Sequence, residues 1–186
     1  MDPRQILYQH YPSDSHLART LLHHSEQVRD KALEVAREVA HLNPDRAFIA
    51  EAAMLHDIGI YRTAAAALGC RGEAPYICHG IIGRRILEEY GLADHALVCE
   101  RHVGVGISEQ EIRARNLPLP ARDMLPVSLE EIIICYADKF YSKSNGGTAH
   151  RPEEIVAQLQ SFGQEQADRF LAWHRSFSGI TPVLRD

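Results

Sequence analysis

The chain reads as an all-α protein, and three observations point that way. Apolar residues recur at steps of three and four along most of its length, no stretch alternates at period two, and cap-forming residues punctuate the periodic segments. The expected architecture is a compact bundle of about six or seven helices. No repeat, low-complexity tract or linker divides it, so a single domain over 1–186 is expected.

The first long helix is expected from Ser15 to His41. Leu17, Leu21, His24, Val28, Ala32, Val35 and Val39 form one face, which puts His24 inside the apolar stripe and His23 off it. In "NPDRAFIAEAAMLHDIG", Asn43 is the expected N-cap, Pro44 the first helical residue and Gly59 the C-terminal cap. His56 and Asp57 fall in the last turn of that helix. A helix over about 75–90 carries His79, Ile82, Gly83 and Ile86 along one side and ends at Gly91. The next, 93–103, places Val98 and His102 four residues apart on one face.

The stretch from Gly104 to Ser128 is interrupted by Gly106, Pro118, Pro120 and Pro126, and one short helix is expected around 109–115. Long excursions of this kind are often functional, which makes it a lid candidate. "SLEEIIICYADKFYSK" opens with a capping-box pattern, Ser128 with Glu131, and is apolar almost all round, as a central buried helix is. Asp138 lies one turn beyond Ile134 in it. A final helix over 152–177 packs through Ile155, Leu159, Phe162, Phe170, Trp173 and Phe177.

At 186 residues the chain is long enough to bury a core without disulfide staples. The four cysteines show no paired spacing and no signal peptide is visible, so a reduced, cytoplasmic setting is expected. Net charge of −5 provides no basic footprint for duplex nucleic acid, and no apolar run reaches the length of a membrane span.

His24, His56, Asp57, His79, His102 and Asp138 are six groups at buried or near-buried positions on five expected helices. Burying so many polar groups for packing alone is costly, whereas a bundle that points them inward builds a metal site. The set is nitrogen and oxygen without thiolate, which suits Mn, Fe, Co, Ni or Zn. Neighbouring His56 and Asp57 project about 100° apart on a helix, so one ion in the wedge between them can take an atom from each. The second oxygen of Asp57 can then reach a second ion, giving one or two divalent metals about 3.5–4 Å apart.

"HHSEQV" with His24, "LHDIG" with His56 and Asp57, and "YADKF" with Asp138 resemble the ordered motifs of the HD superfamily of metal-dependent phosphohydrolases. The resemblance runs from about residue 8 to residue 177 and is similar to small stand-alone HDIG proteins of unassigned substrate. It implies a compact HD-domain bundle with its metal centre between the core helices. It also implies that His24, His56, Asp57 and Asp138 hold a first ion, and that His79 in "ICHGIIG" and His102 in "ERHVG" hold a second. Many relatives carry Lys or Glu three residues after the paired aspartate; here that position is Ile60.

The function so implied is hydrolysis of a phosphate ester or anhydride, in a small nucleotide-like molecule, by metal-activated water with Asp57 bridging or orienting. Arg62, Arg84, Arg101, Lys139 and Lys143 lie near motif positions and could meet substrate charge, the first four being assigned as substrate-binding residues. An HD-fold di-iron oxygenase and a non-catalytic nucleotide-binding HD module are the rival readings. The expected partner is a small phosphorylated substrate, with no duplex nucleic acid and no membrane; a homo-oligomer is left open.

Overall fold

The computed structural model describes residues 1–143 and 148–178. Its helices are α1 (Pro3–His10), α2 (His16–Glu38), α3 (Arg46–Leu55), α4 (His79–Glu89), α5 (Ala93–Arg101), α6 (Glu109–Ala114), α7 (Leu129–Asp138), α8 (Pro152–Gln160) and α9 (Gln164–Phe177). Extended pairing among the described residues is limited to isolated bridges, Thr63–Ala74, Gly104–Gly106 and Ile107–Met124.

Helix α2 runs along the middle of the bundle and packs on α3 and α7. Ser15 caps it through its hydroxyl, which accepts from the Ala18 N–H, and the expected stripe is buried. Val28 and Ala32 are fully enclosed and Leu21 and Val35 nearly so. Each Val or Leu buried there contributes about 1.5–3 kcal/mol.

Helix α3 departs from its expected start. Asp45, not Asn43, is the N-cap, its carboxylate accepting from the Ala47 and Phe48 N–H groups at 3.0 and 2.9 Å. A carboxylate adds charge complementary to the helix dipole. Asn43 instead takes the left-handed conformation, φ 54°, and closes the turn that follows α2.

The helix also ends earlier, at Leu55, so His56 and Asp57 stand in the tight turn beyond it. Gly59 is not a left-handed cap, for its φ is −80°. Its role is clearance: a Cβ there would lie 2.2 Å from the His79 carbonyl oxygen and 2.5 Å from the Gly83 nitrogen. Glycine lets the turn lie directly against α4.

Helix α1, capped by Asp2 with Pro3 in its first turn, was not among the expected elements. It buries Ile6 and Leu7 against the α3 side of the bundle. The expected final helix is two helices, broken at Ser161–Gly163. Gly163 adopts φ 147°, and Phe162 is 48 % exposed rather than packed. The expected capping box at Ser128 is half formed. Its hydroxyl accepts from Glu131 N–H, but the Glu131 carboxylate accepts from Val127 N–H and Arg101. A complete Ser–Glu box lies at α6, between Ser108 and Glu111.

The lid candidate is tied down by α9. Buried Gln166 accepts from Val105 N–H at 3.0 Å and donates to the Gly106 carbonyl at 2.8 Å, while Arg169 donates to the carbonyls of Val105 and Gly106. Ile107 and Met124 pair across the far side of the excursion, so its base is a fixed wall.

Two large apolar clusters result, one centred on α2, α7 and α9 and one on α1, α4 and α5, with a third, small one at Ile107, Ile112 and Met124. Helix α3 contributes Ile49, Ala52 and Ala53 to the first; Leu55, with Ile58 and Ile60 beyond it, joins the second. His56 and Asp57 fall between them. No helix among the described residues is long and apolar enough to cross a membrane.

Candidate metal centre

Five helices deliver polar groups to this seam. His24 comes from the middle of α2, His56 and Asp57 from the turn after α3, His79 from the first residue of α4, His102 from the cap of α5, and Asp138 from the last residue of α7. All are buried, His56 and Asp57 completely.

The turn that carries the pair is pinned from two sides. The Tyr11 hydroxyl donates to the Ile58 carbonyl at 2.7 Å and accepts from Tyr61 N–H at 3.2 Å. The Cys99 thiol donates to the Leu55 carbonyl at 3.2 Å. Neither residue was singled out in the sequence, since their sequence distance from the motif hides the contact.

Asp57 turns its two oxygens to different neighbours. Oδ2 lies 3.3 Å from His24 Nε2 and 3.1 Å from His56 Nε2; Asp138 Oδ1 completes this group, 3.0 Å from His24 Nε2 and 3.4 Å from His56 Nε2. Oδ1 lies 3.4 Å from both His79 Nε2 and His102 Nε2, which are 3.1 Å apart. Neighbouring ligands at about 2.1 Å from an octahedral ion are themselves about 3.0 Å apart. Each group therefore has the spacing that a divalent ion requires, and each lies within 4.8 Å all told.

Three imidazoles are aimed by one device. The Nδ1 atoms of His56, His79 and His102 each sit 2.6–2.8 Å from the carbonyl oxygen three residues earlier, those of Ala53, Tyr76 and Cys99. A carbonyl can only accept, so Nδ1 carries a proton and Nε2 is the nitrogen turned to the cluster. His24 lacks this partner; both its nitrogens, His56 Nε2 and Asp57 Oδ1 are buried without a hydrogen bond, while Asp57 Oδ2 has the Lys143 ammonium beside it. Unsatisfied buried donors and acceptors of this number are costly unless something coordinates them. The donor set, its spacing and its unmet valences fit one or two divalent transition ions.

The charges of the protein groups are strongly coupled. Burial pushes the Asp57 carboxyl up, but Lys143 and His56 outweigh it and hold Asp57 well below the usual carboxylate range. Asp138 is held low in the same way, by Lys139 and by His24 and His56. Burial also opposes charge on His56, yet Asp57 and Asp138 push it up to about 9. His79 goes the other way, to about 3, because burial is reinforced by His102 and Lys143. Burial lowers His102 as well.

A cavity of about 600 Å³ opens onto the cluster, lined by His79, His102, Asp138, Lys139, Lys143 and Arg115 on its polar side. Leu68, Tyr76, Ile77, Tyr141 and Phe162 supply apolar wall.

Of the residues assigned to substrate, Lys139 alone lines this cavity; its ammonium is 2.6 Å from Asp138 Oδ2. Arg62 lies outside it, its guanidinium against its own neighbour Tyr61. Arg84 is paired with Glu88 and with buried Glu100, which also receives Arg122. Arg101 forks onto Glu131, both bonds 2.9 Å. Their proximity to the motifs in sequence did not translate into proximity to the cavity, because on a helix the side chain one position (Arg101 from His102) or five positions (Arg84 from His79) away points about 100° or 140° off the ligand's direction. Lys143 does reach the cluster, 2.5 Å from Asp57 Oδ2.

A helical bundle with a buried seam of imidazoles and carboxylates defines a class, the metal-binding α-domains. The sequence profile of the HD domain matches residues 21–142, and the chain belongs to the HD domain family. Among curated relatives, a tRNA (cytidine(56)-2'-O)-methyltransferase of Thermoplasma volcanium is 28% identical over 94% of this chain and 45% of its own length. An uncharacterised protein of Methanocaldococcus jannaschii is 38% identical over 60% of this chain and 53% of its own. A second tRNA (cytidine(56)-2'-O)-methyltransferase, from Picrophilus torridus, is 35% identical over 66% of this chain and 31% of its own. The chain thus spans from about a third to about half the length of these relatives. The HD domain of the L. monocytogenes phosphodiesterase PgpH, in complex with cyclic-di-AMP, aligns over 97% of this chain and 98% of its own, with a TM-score of 0.53 and 13% identity. A second crystal structure of the PgpH HD domain aligns over 96% of this chain and 98% of its own, with a TM-score of 0.51 and 14% identity. At such identity the likeness is one of fold.

Proposed function

We propose that the protein is a metal-dependent phosphohydrolase acting on a phosphate ester or anhydride of a small nucleotide-like molecule. The observation that carries this reading is the split of Asp57, one carboxylate oxygen toward His24, His56 and Asp138 and the other toward His79 and His102. One bridging carboxylate between two nitrogen-rich groups is the protein half of a two-metal hydrolytic site.

In this reading His24, His56, Asp57 and Asp138 hold the first ion and Asp57, His79 and His102 the second. Divalent ions there supply an acidified water near neutral pH and offset phosphoryl charge. The chain's own residues do the rest. The Ala53, Tyr76 and Cys99 carbonyls hold the proton on Nδ1 and so aim Nε2 of three imidazoles at the cluster. Lys139 orients Asp138 through the oxygen that does not face the cluster. The apolar wall at Tyr76, Ile77 and Phe162 suits a flat heterocycle beside an anionic group. The PgpH HD domain's complex with a cyclic dinucleotide supports a nucleotide class for this fold. Methyl transfer is not carried over, because the match covers less than half of either methyltransferase.

The test is metal analysis of protein purified without added metal, joined to a screen of phosphomonoesters, phosphodiesters and nucleotides with several divalent ions. The double variant His56→Ala, Asp57→Ala is expected to lose both metal and turnover while keeping its helical circular dichroism. Full metal occupancy in that variant would sink the assignment.

A further inference from the structure

Two lysines meet the cluster, and they meet it differently. Lys139 lies against Asp138 Oδ2, while the other oxygen of that carboxylate faces His24 and His56. Its ammonium is also 3.4 Å from the His102 carbonyl oxygen. Lys139 therefore keeps its partner whether or not an ion is bound. Lys143 lies against Asp57 Oδ2, the same oxygen that faces His24 and His56. A divalent ion bound by those three groups and the Lys143 ammonium would claim the same lone pairs. Two cations on one oxygen in a buried site repel strongly, so one must withdraw.

The surroundings say where it withdraws to. Lys143 lines the cavity together with His79, His102 and Asp138. Among the described lining residues Asp138 is the one carboxylate, and Lys139 already holds it. Without an ion the carboxylates of Asp57 and Asp138 are already paired with Lys143 and Lys139, which leaves no negative charge uncompensated. Any divalent ion adds positive charge beyond that balance. Tyr76, which lines the same cavity as Lys143, offers a hydroxyl on the wall where the displaced ammonium can rest. Four rotatable bonds give the side chain ample reach for the move.

We propose that Lys143 is an exchangeable cation. It neutralises Asp57 until metal binds, is then displaced into the cavity, and there binds the substrate's phosphate. The proposal rests on the metal-site reading above and adds a role that none of the metal-ligand positions provides. It makes Lys143 a competitor of the metal and an ally of the anion, a combination that a merely structural lysine would not produce.

The test uses the full chain, Mn²⁺ and orthophosphate, with calorimetry on the metal-free and the Mn²⁺-loaded protein. Lys143→Met is expected to bind Mn²⁺ about tenfold more tightly, about 1.4 kcal/mol, because the competing charge is gone. The same variant loaded with Mn²⁺ is expected to bind orthophosphate about tenfold more weakly. Lys143→Arg, which keeps the charge, should hold orthophosphate within about threefold of wild type. Circular dichroism monitors the fold, and Lys143→Gln replaces the methionine variant if the latter does not fold. Orthophosphate binding as tight as wild type in the uncharged variant, or loss of its Mn²⁺ binding, overturns the proposal. Wild-type protein that takes up no Mn²⁺ overturns the metal reading itself and this proposal with it.

Discussion

The position of Asp57 depends on residues far away in sequence. Its turn has no regular helix to hold it, and the Tyr11 hydroxyl satisfies one carbonyl and one N–H of that turn. Removing the hydroxyl strands both groups in a buried setting, which costs about 1–3 kcal/mol. Tyr11→Phe is therefore expected to lower stability by that amount in urea unfolding and to weaken metal binding about tenfold, as loss of supporting hydrogen bonds around ligands does. An unchanged urea midpoint would show that the turn is held by packing alone. Ile60 belongs to the same story. It is buried in the second apolar cluster, so the position that carries a charged helper in many resembling sequences is used here for core. Lys143, from beyond α7, reaches Asp57 instead.

At the scale of elements, the tightest constraint is the contact of the α3–α4 connection with α4 itself. A methyl group at Gly59 would overlap the His79 backbone and the Gly83 nitrogen, neither of which can move without shifting a ligand helix. Overpacking of this kind costs about 1–3 kcal/mol. Gly59→Ala should lower the thermal midpoint and, because His79 begins α4, reduce occupancy of the His79–His102 group more than that of the His24 group. Stoichiometric metal titration separates the two; equal loss at both would mean that the helix moves as a whole. Periodicity made the bodies of α2, α4, α5 and α7 legible, along with the inward direction of His24 and Asp138, because one buried face repeats at helical spacing. Ends were less legible. Asn43 and Asp45 are both good caps two residues apart, and only the packed structure selects the charged one. The break at Phe162 was hidden because apolar spacing continues across it, although Gly163 follows directly. The six expected ligand positions were visible as polar residues on apolar faces, whereas Tyr11, Tyr76, Gln166 and Glu100 act through tertiary contacts that no local pattern announces. Arginines beside motif residues misled for the same reason: their partners, Glu100 and Glu131, come from α5 and α7.

For the whole molecule, these coupled charges tie folding, metal and pH together. His79 and His102 are pushed down on folding, His79 to about 3. A base with a lowered folded pKa contributes stability above its unfolded value, about 6.5, and loses it as pH falls below that. His56 is the opposite case, raised to about 9, so its contribution is present below about 6.5 and lost as pH rises through about 9. Asp57 and Asp138, held low, add stability above the ordinary carboxylate range and lose it in acid. The metal-free protein should thus weaken below about pH 6 and again as pH rises from about 6.5 through about 9. Metal reverses the alkaline loss. Its ligands must be neutral imidazoles, so binding at pH 7 must displace the proton that Asp57 and Asp138 hold on His56. Mn²⁺ at about a hundred times its dissociation constant stabilises a one-site protein by about 2.7 kcal/mol. That gain should grow from pH 6 to pH 9 as the competing proton departs, accompanied near neutral pH by release of about one proton for the first ion. Urea unfolding with and without Mn²⁺ across this range, together with calorimetry in buffers of different ionisation enthalpy, measures both quantities. A metal-linked gain that is flat with pH, with no proton released, would mean that His56 is already neutral in the metal-free fold and that Lys143 alone balances Asp57.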